Sequence, residues 1–64
     1  MEDIMIKLTH IDGYPVYINP KYIVAVEPSE RRREATAIWT VEGGYDVQES
    51  VKVVLARIKN KVSE

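Results

Sequence analysis

The sequence predicts a small α+β domain: a curled antiparallel β-meander of four or five strands followed by one C-terminal amphipathic helix. Three observations predict it. Between Ile4 and about Gln48, short segments alternate apolar and polar residues with the period of two that half-buried strands require, and one further segment is densely apolar. Turn residues, Asp12-Gly13, Asn19-Pro20 and Gly43-Gly44, punctuate that stretch at short intervals. From Ser50 onward the apolar period changes to 3.6, which is the signature of a helix lying on a core.

The first strand is expected over about 4–11, with Ile4, Ile6 and Leu8 on one face and Lys7 and Thr9 on the other. Asp12-Gly13 then reads as a tight hairpin turn, because both central residues tolerate positive φ. The returning strand, about 14–18, places Tyr14, Val16 and Ile18 together and Tyr17 opposite them. Pro15 has no N–H to give to a ladder, so this strand belongs at an edge or carries a bulge. At Asn19-Pro20 the asparagine can cap locally while proline fixes φ and turns the chain. The apolar run Tyr22 to Glu27 reads as a central strand stopped by Pro28. Ser29 to Glu34 is a wholly polar connection, followed by strands at about 35–41 and 45–48 with Gly43-Gly44 as the turn between them. The helix is expected at about 51–62, capped by Ser50 and carrying Val51, Val54, Leu55, Ile58 and Val62 as one apolar stripe. Arg57, Lys59 and Lys61 favour the negative pole of its dipole. Covering the open face of the sheet accounts for this helix fully.

The 64 residues are expected to form a single domain, 1–64, and a core of that size is marginal without support. The absence of cysteine excludes disulfides and thiolate metal sites, and one histidine, His10, argues against a histidine-based metal site. Oligomerisation is the remaining support, so a homo-oligomer is expected. The start Met1-Glu2-Asp3 lacks a basic segment of the signal-peptide kind, and no apolar run reaches the ~18 residues of a membrane span. A cytoplasmic location without membrane insertion is expected. A formal net charge of -1, nine basic against ten acidic residues, argues against a dedicated nucleic-acid binder.

No catalytic constellation is legible and no enzyme is expected. His10 reads as a surface histidine at a strand end, since Asp12 nearby builds no pocket. Asp46 with Glu49 supplies too few ligands for a hard metal, and Gly43-Gly44 is no phosphate loop. No cofactor is expected. The candidate binding residues are Arg31, Arg32 and Arg33, with Tyr17, Tyr22 and Trp39. Three cations on a hairpin tip suit a phosphate, a small anionic nucleotide or an acidic protein surface. Glu30 and Glu34 bracket them, and a solvated tip is the plainer reading. All five aromatic residues, Tyr14, Tyr17, Tyr22, Trp39 and Tyr45, carry a polar handle, the type enriched at interfaces. Trp39 is expected to fill the core, whereas Tyr17 is expected to be exposed or at a subunit contact.

Several of these residues recur together in one known family. Ile6-Lys7-Leu8-Thr9, Asp12-Gly13, then Tyr17-Ile18-Asn19-Pro20 with Ile23 and Glu27, resemble the FlbD-like flagellar and swarming-motility proteins. Val47-Gln48-Glu49-Ser50 with Val54 and Ile58 is similar to that family's closing segment, so the likeness runs from Met5 to about Ile58. The resemblance implies a small bacterial cytoplasmic protein tied to flagellar power or swarming, with no enzymatic activity known for the family; related short proteins also occur in bacteriophages. The chain departs from the family in the longer, arginine-bearing loop at Ser29 to Glu34 and in Gly-Gly-Tyr near position 43. The leading expectation is a protein-interaction module acting as a homo-oligomer in motility. The alternative is a phage accessory protein that binds a host factor or sequesters a small anionic nucleotide.

Overall fold

The computed structural model describes residues 4–62. Five strands and one helix follow in order: β1 (Ile6–Thr9), β2 (Pro15–Ile18), β3 (Ile23–Pro28), β4 (Thr36–Thr40), β5 (Gly43–Val47) and α1 (Val51–Val62), with a 3-10 turn at Pro20–Tyr22 between β2 and β3. The α+β class is therefore the one expected, and every strand pairing is antiparallel. The strands divide into two sheets, β1-β2 and β3-β4-β5.

The β1-β2 hairpin pairs Ile6 with Ile18 and Leu8 with Val16, which stacks its apolar side chains on one face. Its turn is closed by Gly13 N–H to the His10 carbonyl at 2.8 Å and His10 N–H to the Tyr14 carbonyl at 2.8 Å. Only Gly13 takes positive φ, at 106°; the expectation that Asp12 would share it is corrected. Ile4 was placed on the buried face by alternation, yet it precedes the strand and is exposed. Pro15 lies in β2, which pairs only with β1 and so is an edge, as a residue without an N–H demands. Asn19 caps the 3-10 turn, its Oδ1 accepting from Lys21 N–H at 2.9 Å.

β3 was read as central because it is so apolar; it is an edge strand, and β4 is the middle one. An irregularity between Ile23 and Ala25 breaks the register and leaves Val24 exposed, which is how a bulge redirects side chains. The β4-β5 turn is Val41-Glu42, not the glycine pair. Gly43 and Gly44 begin β5, with Gly43 at φ 138°, opposite Thr40 and Trp39.

The two sheets meet where β1 ends and β5 ends. His10 bridges Val47, Ile11 N–H reaches the Asp46 carbonyl at 3.1 Å, and Gln48 N–H reaches the Thr9 carbonyl at 2.7 Å. This joint curls the strands around one core of Ile6, Leu8, Ile18, Ile38, Val47 and Val54. Ser50 caps α1 as expected, its Oγ accepting from Val53 N–H at 3.3 Å. Val54 is fully buried and Ile58 packs beside it. Leu55, assigned to the same stripe, is half exposed on its flank. The side chain of Val62 lies outside the described residues.

Glu49 fastens the helix to the sheet. Its Oε1 accepts from Thr9 N–H at 2.9 Å, and its Oε2 receives Arg57 Nη1 at 3.4 Å. The same Arg57 nitrogen donates to the Lys7 carbonyl at 2.8 Å. Buried Thr36 donates from Oγ1 to the Glu49 carbonyl at 2.6 Å. No helix among the described residues is long and apolar enough to cross a membrane.

Candidate functional site

Strand alternation divides β3-β4-β5 into two faces. Thr36, Ile38 and Val47 point inward, where Ile38 and Val47 meet Val54 of α1. Ala37, Trp39, Gly44 and Asp46 are therefore on the outer face, which the helix does not cover. The register arranges this face in rows. Ala25, Trp39 and Gly44 form one row, and Glu27, Ala37 and Asp46 form the next. Small residues flank the indole on both sides, so its ring lies flat rather than packed into the interior.

Trp39 was expected to fill the core. It is 46% exposed, because the inward positions of β4 are Thr36, Ile38 and Thr40 and the indole falls between them. Its Nε1–H donates to Glu27 Oε2 at 2.8 Å, and its ring closes over Gly44. The indole is thus fixed in orientation while leaving much of its surface in water. Trp39, Ala37, Gly44, Glu27, Arg31 and Asp46 border a shallow depression of about 430 Å³ on this face.

The three arginines do not converge. Arg31 Nη1 bonds Asp46 Oδ2 at 3.3 Å, and Ser29 Oγ donates to Asp46 Oδ1 at 3.0 Å. Arg32 Nη1 instead reaches the Ile11 carbonyl at 3.2 Å. Arg33 is exposed. The loop bends through Glu34 at φ 66° and is closed by Ser29 N–H to the Ala35 carbonyl at 3.0 Å. Arg31 is the one arginine brought to the Trp39 depression.

Tyr17 and Tyr22 come together at a second place. With Met5, Asn19, Glu42 and Tyr45 they border a depression of about 210 Å³ between the β2 end and the β4-β5 turn. Tyr17 is 57% and Tyr22 56% exposed. The exposure expected for Tyr17 follows from its place opposite the inward Ile18 on the β2 edge. Tyr45 borders both depressions, and its register opposite Ile38 sets its side chain on the face away from Trp39. Glu27, Asp46, Met5 and Tyr45 are among the members of these sites that are not expected from the sequence. For Glu27 a signal was present: it is the one acidic residue in an otherwise apolar strand.

His10 is a clasp of the hairpin. Its ring stacks on Tyr14 with centroids 4.4 Å apart and planes 9° apart, and its Nδ1 accepts from Asp12 N–H at 3.0 Å. That nitrogen is thus engaged within the hairpin turn. Among the described residues no group of three or more His, Asp or Glu side chains is arranged to hold a metal ion.

No curated protein and no solved structure matches the chain. A family model does, over residues 5–63, and it describes flagellar and swarming motility proteins. With nearly its whole length matched, this chain belongs to the FlbD family of flagellar and swarming motility proteins.

Proposed function

We propose that this chain is a non-catalytic protein-interaction module of bacterial motility that acts as a homo-oligomer. The observation that carries the reading is the gathering of Tyr17, Tyr22 and Tyr45 around one depression as a belt of exposed, polar-tipped aromatics, with Trp39 exposed on the other face of the sheet that carries Tyr45. Such residues contribute large contact area with little loss of side-chain freedom and dominate binding energy at protein interfaces. The core, by contrast, is entirely aliphatic, so the aromatics are not what holds the domain together. Exposed Ile4, Val24, Val41 and Leu55 add apolar surface that a second subunit or a partner would cover.

The alternative of anion capture by Arg31, Arg32 and Arg33 draws less support. Asp46 already partners Arg31, and Arg32 is bonded to the Ile11 carbonyl, so both guanidinium groups are engaged within the chain.

The test is complementation. In a swarming bacterium lacking the gene, the Tyr17→Ser/Tyr22→Ser variant is expected to leave the chain folded by circular dichroism and to abolish restored swarming. Full swarming by a folded variant overturns the assignment of the tyrosine belt to function.

A further inference from the structure

The outer face of β3-β4-β5 and the outward face of α1 carry opposite charge on opposite sides of one small domain. The depression around Trp39 is bordered by Glu27, Glu30 and Asp46 against the single cation Arg31, a formal balance of three minus one, or net -2. Helix α1 contains Lys52, Arg57, Lys59 and Lys61 and no acidic residue. Arg57 is spent on Glu49 and the Lys7 carbonyl, while Lys52 and Lys59 are exposed. Because α1 packs on the inner side of the strands, it cannot reach the depression of its own chain.

The spacings agree. Lys52 and Lys59 are seven residues apart, so they stand on one helix face about 10.5 Å apart along the axis. Between them on that face lies Ala56, with Val53 beside it. Glu27, Ala37 and Asp46 form a row across three strands, so the two carboxylate positions are about 10 Å apart with alanine between them. A lysine–alanine–lysine ridge thus matches a carboxylate–alanine–carboxylate row in both length and sign. The adjoining Ala25, Trp39 and Gly44 row gives Val53 an apolar bed.

From this complementarity we infer that the Trp39 face receives helix α1 of a second copy of the chain, laid across the strands with Ala56 over Ala37. The inference deepens the homo-oligomer reading and rests on it. Lys59 and Lys52 meet Glu27 and the Asp46 side, and Arg31, 73% exposed on its side chain, swings from Asp46 to admit the lysine. Each copy offers one face and one helix, so the contact is head-to-tail and either closes into a ring or continues as a filament.

The experiment is a charge swap on the full chain, read by sedimentation velocity at low salt. The helix variant Lys52→Glu/Lys59→Glu and the face variant Glu27→Lys/Glu30→Lys are each expected to sediment as monomer, with association weakened at least tenfold. Mixed in equal amounts, they are expected to assemble again, since the acidic helix meets the basic face and the two unaltered surfaces meet each other. That recovery also shows that both variants fold. Variants that assemble like the wild type, or a mixture that stays monomeric beside an assembling wild type, overturn the head-to-tail contact and leave the homo-oligomer reading standing. A wild type that is itself monomeric overturns both.

Discussion

Trp39 and Gly44 face each other across β4 and β5 so closely that a Cβ on residue 44 would lie 2.8 Å from indole Cζ3. No carbon pair tolerates that distance, so glycine at 44 is what allows the indole to lie flat on the sheet. Gly44→Ala is therefore expected to push Trp39 off the face and away from Glu27. The ring is exposed and can move, which limits the cost to about 1 kcal/mol, the lower end of the range for overpacking. As Trp39 is the sole tryptophan, a change in intrinsic fluorescence and a small fall in the urea midpoint check this directly. Unchanged emission would show that the indole does not rest on residue 44.

Thr36 is fully buried and its hydroxyl holds the Glu49 carbonyl at 2.6 Å, just before α1 begins. Thr36→Val keeps the shape and removes the donor, leaving that carbonyl without its hydroxyl partner. The expected loss is about 1–3 kcal/mol, read as a lower urea midpoint with unchanged slope. A valine variant as stable as the wild type would mean that water replaces the hydroxyl.

Glu49 ties three segments at once: Thr9 of β1, Arg57 of α1 and, through its own backbone, Thr36 of β4. Its side chain is only 14% exposed. Glu49→Ala is expected to cost about 1–2 kcal/mol, chiefly by leaving the Thr9 amide unpaired. Arg57→Ala is expected to cost less, because that side chain is 45% exposed and water can replace part of its bonding. In a double-mutant cycle the two losses should fail to add, whereas strict additivity would deny that the pair acts together.

Leu8 is fully buried at the centre of the core. Leu8→Ala should cost about 3 kcal/mol, which approaches the whole stability of about 3–5 kcal/mol available to a domain this small. The variant is expected to be largely unfolded at 37 °C by circular dichroism. A cooperative native transition at that temperature would show that something beyond this core stabilises the chain.

How much of this was legible depended on how local each signal is. The β1-β2 hairpin, the Asn19 cap, the Ser50 cap and the inward Val54 all depend on neighbours within a few residues, and the sequence discloses them. β3 was misplaced because apolar density does not distinguish an edge from a centre. The break at Ile23/Ala25 that turns Val24 outward is a matter of pairing with β4. Trp39 was misplaced because size was allowed to outweigh alternation: with Ile38 inward, its neighbour must face out, and buried Thr36 hid that phase by being polar. The His10–Val47 bridge and the Arg31–Asp46 pair join segments far apart in the chain, and no short-range pattern announces them. The tyrosine site was half visible, since Tyr17 and Tyr22 were selected while Tyr45 and Met5 reach it only through the curl of the strands.

The most direct test of the account is the mass of the full-length wild-type chain in solution. Sedimentation velocity at micromolar concentration in low salt should give a species larger than the 7.3 kDa monomer. Raising salt to about 1 M, where the Debye length falls to about 3 Å, should dissociate it. A 7.3 kDa monomer at every concentration and salt would contradict the account.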